Sequence, residues 1–66
     1  MKTYLVITGD NCPYCDKAKA LITERGDRFV EMPLIDAVEP MSKLGVKTVP
    51  QVFQLVGGYE DLAREP

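Results

Sequence analysis

Tyr4-Leu5-Val6-Ile7-Thr8-Gly9-Asp10-Asn11-Cys12-Pro13-Tyr14-Cys15 is the stretch that decides how this chain folds. Tyr4 to Ile7 is a continuous apolar run rich in β-branched residues, which reads as a strand covered on both faces. Thr8 to Asn11 has the composition of a loop. Pro13 suits the first position of a helix, where its missing N–H would have no partner anyway. Cys12 is then the N-cap or the residue beside it. Tyr14, Ala18, Leu21 and Ile22 recur at helical spacing on one face, with Cys15 beside them. Asp16, Lys17, Lys19, Thr23 and Glu24 fall mostly elsewhere. Gly26, after Arg25, is a natural helix stop.

Working outward, Arg28-Phe29-Val30-Glu31-Met32 reads as a second strand closed by Pro33. Strand, helix and strand form a βαβ unit, so the two strands should run parallel. Asp36 to Pro40 is a connector, and Pro40 to Leu44 can make one or two helical turns before Gly45. Val46 to Pro50 leads into a third strand, Gln51 to Val56, with Pro50 at its start, edge or a bulge. Gly57-Gly58 breaks the chain, and Tyr59 to Glu65 suffices for a short last helix. Without repeats, low-complexity tracts or a linker, residues 1–66 are expected to form one α/β domain.

The chain has 66 residues, 45% apolar, with two cysteines and no histidine. A chain this short buries only about 60% of its unfolded surface, so its core is marginal. No staple is in sight. Cysteines three apart close too small a loop to constrain the unfolded chain much, and a structural zinc wants four ligands. The cysteines are therefore expected to serve chemistry. The net charge of −2 is spread along the chain without a Lys/Arg cluster, so neither nucleic acid nor an anionic membrane is expected as a partner. Lys2 to Thr8 is too short for a signal peptide's apolar region, and no run approaches a membrane span. A soluble cytoplasmic protein is the expectation. In that compartment a C-x-x-C pair is more often catalytic or metal-binding than structural.

Thiol–disulfide exchange needs a thiolate, and a free cysteine is mostly protonated at neutral pH. At a helix N-terminus, Cys12 would face unpaired N–H groups and the positive end of the helix dipole, both of which favour the charged sulfur. The spacing places Cys15 one turn on, on the same side. Position thus suggests Cys12 at the exposed tip as nucleophile and Cys15 as resolving thiol, with Pro13 stiffening the linker. Two alternatives stand beside this reading: a pair of buried cysteines without chemistry, and a metal or iron–sulfur cluster shared with a second chain or an outside thiol.

Cys12-Pro13-Tyr14-Cys15 after a strand, then Thr48-Val49-Pro50-Gln51-Val52-Phe53, then Gly57-Gly58-Tyr59-Glu60-Asp61-Leu62, together resemble the dithiol glutaredoxins. The motifs occur in the family's order across almost the whole chain. The resemblance implies a thioredoxin-like fold: a small mixed sheet of three to four strands flanked by helices. It implies a glutathione-dependent oxidoreductase that reduces protein disulfides and glutathione mixed disulfides through Cys12 and Cys15. Glutathione would be a co-substrate, with no permanently bound cofactor and no metal. Pro50 would follow a cis bond and present the backbone of Val49 beside Cys12, where glutathione or an extended substrate strand could pair. Tyr14 and Thr48 would line the groove. Gly58 and the helix start at Tyr59, Glu60 and Asp61 would take the γ-glutamyl end of glutathione. For Glu60 and Asp61 the plainer reading is helix-start acids matched to the dipole, and both can hold. A monomer is implied, with ribonucleotide reductase an acceptor by family analogy alone.

The chain departs from the family pattern in three places. Gly9 stands where many members carry a lysine, and Lys47 is the alternative cation. The segment from Asp36 to Thr48 is short, so the second helix should be reduced. Phe53 to Gly57 lacks a hairpin turn, so a fourth strand is vestigial or the chain crosses directly to the glycines. Within this minimal form, a thioredoxin-like carrier fed by a flavoprotein reductase is the alternative electron route, with a cluster carrier behind it.

Overall fold

The computed structural model describes residues 1–66. Strand β1 (Thr3–Thr8) leads to helix α1 (Pro13–Glu24) and strand β2 (Arg28–Pro33). A single 3-10 turn (Leu34–Asp36), helix α2 (Val38–Leu44), strand β3 (Gln51–Gln54) and helix α3 (Tyr59–Ala63) follow. The sheet has three strands in the order β2-β1-β3. β1 and β2 run parallel, with Val6 opposite Glu31 and Ile7 opposite Met32. β3 is antiparallel to β1, with Leu5 opposite Phe53 and Val6 opposite Val52. This is the small mixed sheet of a thioredoxin-like fold, with β1 at its centre.

The two faces of β1 divide the core. Ile7 meets Ala37 and Met41 from the α2 side, with Leu5, Met32, Leu34, Val46, Val49 and Phe53 packed around them. Val6 points the other way and is 0% exposed. Its burial alone is worth about 1.5–2 kcal/mol. Cys15 and Ile22 are the buried residues of α1, and Lys19 on the same helix reaches Glu31 on this second face. Helices α1 and α2 therefore lie on opposite sides of the sheet.

Both internal helices stop at glycines that hold a positive φ, Gly26 at 79° and Gly45 at 74°. At the end of α1, Gly26 N–H donates to Thr23 O and Asp27 N–H to Ile22 O. The end of α2 repeats this with Gly45 N–H to Ser42 O and Val46 N–H to Met41 O. These paired bonds satisfy carbonyls that the helix end would otherwise orphan.

Three sequence expectations need correction. The inward side of α1 runs through buried Cys15 and Ile22 with half-buried Ala18, while Leu21 is exposed; Tyr14, which the resemblance sets beside the thiols, is exposed as well. A sheet of three strands supports only a narrow contact line, so the helix turns its small and inner residues inward. The third strand ends at Gln54 instead of Val56. Leu55 N–H still bonds to Thr3 O at 2.8 Å, but β1 begins at Thr3, so beyond it there is nothing to pair with. Helix α2 begins at Val38, ahead of Pro40. Pro40 falls in the first turn, where a missing N–H breaks no helical bond. No hairpin follows β3; the chain passes directly to Gly57-Gly58.

Candidate active site

The loop from Gly9 to Cys12 carries the chain from the centre of the sheet onto α1. Asn11 takes a left-handed conformation, φ 51°, a region asparagine tolerates better than most residues. Cys12 is the N-cap and Pro13 opens the helix. Cys12 and Cys15 are joined as a disulfide, with their Cα atoms 5.3 Å apart. Cys15 N–H donates to both Cys12 O at 3.1 Å and Cys12 Sγ at 3.2 Å. The Cys12 sulfur thus sits on the positive end of the helix, where negative charge is favoured.

The two cysteines differ in exposure. Cys15 is 3% exposed, whereas Cys12 is only half-buried. Tyr14 between them is 66% exposed, and Lys17 Nζ stands 4.7 Å above its ring. The helical spacing had set Lys17 mostly off the apolar face of α1, without a partner. Its spacing of three from Tyr14 was the available signal.

Val49 and Pro50 enter the site from the start of β3, joined by a cis bond, as the resemblance implied. Val49 lies against the cysteine loop. A Cβ built on Gly9 would come within 3.0 Å of Val49 Cγ2. Gly9 is therefore a close-approach position, and a lysine there would have to push Val49 aside. Gln51 Nε2 donates to Thr48 O at 2.8 Å and to Thr48 Oγ1 at 3.1 Å, bracing the turn around Pro50. This role of Gln51 was not read from the sequence, since glutamine at a strand start has no distinctive pattern.

The remaining residues of the expected groove are placed less tightly. Gly58 is the N-cap of α3, and its N–H donates to Asp61 Oδ2 at 3.2 Å. Asp61 Oδ1 accepts from Arg64 Nη2 at 2.8 Å. The Asp61 carboxylate thus serves its own helix, the plainer of the two readings. Tyr59 and Glu60 are exposed. No hydrogen bond or ion pair ties α3 to the cysteine loop. Lys47 is exposed and lines a cavity of about 240 Å³ against α2, with Leu34, Val38 and Met41.

A polar network behind the loop escaped the sequence reading. Thr8 Oγ1, buried at the end of β1, donates to Glu31 Oε2 at 2.9 Å. Lys19 Nζ donates to Glu31 Oε1 at 3.2 Å and lies 3.6 Å from Asp16. The Thr8 hydrogen bond, then Lys19, hold the Glu31 carboxyl below its ordinary range. Glu31 in turn raises Lys19 above its own. The network joins β1, β2 and α1. Its signal was the parallel register, which sets Glu31 beside Val6 on the α1 face. No three metal-ligating side chains converge anywhere in the molecule.

Known proteins resemble this chain in sequence. The glutaredoxin family model matches residues 3–58. Glutaredoxin 3 of Escherichia coli K12 is 39% identical over 64 residues, covering 86% of this chain and 77% of that protein. Glutaredoxin of Neisseria meningitidis serogroup A is 36% identical over 72 residues, covering 97% and 85%. Glutaredoxin 1 of Rickettsia conorii is 35% identical over 71 residues, covering 94% and 70%. With a helix-start cysteine pair on a thioredoxin-like sheet, and a family match from the first strand to the glycines before α3, this chain belongs to the glutaredoxin family and is a thiol–disulfide oxidoreductase.

Proposed function

We propose that the protein draws its electrons from glutathione and passes them to protein disulfides and glutathione mixed disulfides, with Cys12 as nucleophile and Cys15 as resolving thiol. The observation that carries this is the asymmetry of the pair: an accessible sulfur on the helix N-terminus beside a buried one. In the reduced protein the Cys12 thiolate attacks a substrate disulfide. A Cys12–substrate S–S bond forms, and the other substrate sulfur leaves as a thiolate and takes up a proton. Cys15 then loses its proton and attacks Cys12 Sγ, releasing the second substrate thiol and closing the Cys12–Cys15 disulfide. One glutathione thiolate opens that disulfide at Cys12, and a second removes the first as oxidised glutathione. Per cycle one disulfide becomes two thiols and two glutathiones become one disulfide.

Glutathione binding is assigned to the groove beside Cys12. The Val49 backbone and Thr48 would hold its main chain, Tyr14 would form a wall, and the γ-glutamyl end would reach Gly58, Tyr59, Glu60 and Asp61. The seating of Val49 against Gly9 and the Gln51–Thr48 brace support this assignment. The reading includes a monomer in the cytoplasm, and an acceptor enzyme of the ribonucleotide reductase kind.

The test is reduction of bis(2-hydroxyethyl) disulfide coupled to glutathione, glutathione reductase and NADPH. Turnover well above a Cys12→Ser control is expected. A strong preference for thioredoxin reductase over glutathione would overturn the assigned electron source.

A further inference from the structure

We infer that the groove between the cysteine loop and the start of α2 receives the chain that flanks the reactive cysteine of a protein substrate, and selects a basic residue with an apolar neighbour there. This rests on the redox reading above and concerns which disulfides the same site accepts.

The groove has a volume of about 560 Å³. It begins at Thr8, Gly9 and Asp10 and runs to Ile35 and Val38. Its charged lining residues are Asp10 and Glu31, and no lysine or arginine faces it. Glu31 is partly satisfied by Thr8 and Lys19. Asp10 has no side-chain hydrogen bond and no ion pair, and it is exposed. Ile35 and Val38 are 81% and 57% exposed, although hydrophobic side chains flank them on the core side. The lining therefore offers one uncompensated carboxylate and an apolar shelf.

Continuity with the reacting atom fixes what reaches the groove. Successive Cα atoms are 3.8 Å apart, so Asp10 Cα lies within about 7.6 Å of Cys12 Cα. A substrate bonded through its cysteine to Cys12 brings residues one to three places away over this groove. Charge then decides between occupants. A lysine or arginine there meets the unpaired Asp10, Glu31 being paired with Lys19; an acidic residue meets repulsion from Asp10. Where a lysine at position 9 would favour a carboxylate, Gly9-Asp10 favours a cation. The exposed aliphatic pair takes the apolar side chain next to it.

The experiment compares two octapeptides, each with one cysteine blocked as a mixed disulfide with mercaptoethanol. One carries Lys-Leu and the other Glu-Leu on both sides of the cysteine. Both are reduced in the glutathione-coupled assay, with bis(2-hydroxyethyl) disulfide alongside. The expected kcat/KM ratio is about fivefold in favour of the lysine peptide at low salt, the size of exposed charge pairs. It should shrink towards unity at about 1 M NaCl, where screening leaves a few ångströms of reach. Asp10→Asn should reduce the ratio, and Asp10→Lys should invert it. Because the ratio is taken within each variant, a general loss of activity cancels. Ile35→Ser should slow both peptides alike. Wild type that reduces the small disulfide but treats both peptides within about twofold of each other overturns the groove assignment. If neither the small disulfide nor the peptides turn over above Cys12→Ser, the redox reading fails and the groove assignment falls with it.

Discussion

At the scale of single residues, the site is an argument about two sulfurs with the same chemistry and different surroundings. Cys12 has access and a helix N-terminus; Cys15 has neither. Cys15→Ser should therefore still exchange glutathione mixed disulfides while losing most activity on protein disulfides, read from the two coupled rates. Cys12→Ser should lose both. Glu31 is a different kind of residue, acting on stability. Its carboxyl is held low, so its contribution is fully present above the ordinary carboxylate range and is lost as pH falls through the folded value. Glu31→Gln should lower stability at neutral pH and flatten its decline in acid. Urea midpoints measured between neutral and acid pH check this; parallel curves for both proteins would refute it.

At the scale of elements, legibility followed local punctuation. Cys12-Pro13 marked the start of α1 and Gly26 its end, because capping and φ preferences act within a few residues. The parallel β1–β2 pair was legible for the same reason, since a βαβ unit leaves few alternatives. Places where distant partners decide were not legible. Helical spacing gave α1 an apolar side, but which part of it faces the sheet depends on the width of a sheet that the sequence does not display. The end of β3 likewise depends on where β1 begins. At the site, the place of the cysteine pair at the start of α1 was readable from position. The Thr8–Glu31–Lys19 network was not, because its members come from three elements. The glycine at the end of α2 provides a clean test. Gly45→Ala meets nothing within 4 Å, so any effect reports its positive φ. It should destabilise by about 1 kcal/mol without altering redox activity.

At the scale of the whole molecule, seven of 66 residues are buried. With so small a core the stability should lie near the low end for a chain of this length, about 3–5 kcal/mol. Met41 joins α2 to Ile7 and Ala37 in the buried cluster. Met41→Ala should cost about 2–4 kcal/mol, enough to leave much of the population unfolded on mild heating, as circular dichroism would show. Full retention of the thermal midpoint would mean that the core lies elsewhere. The same small scaffold has to deliver one accessible sulfur and hide the other, and that division is the centre of the account. Each reduced single-cysteine protein should be mixed with oxidised glutathione and followed by intact mass and peptide mapping. The account predicts rapid addition of one glutathione to Cys12 in the Cys15→Ser protein, and slow or absent addition to Cys15 in the Cys12→Ser protein. Equal rates at the two positions, or faster addition at Cys15, would contradict it.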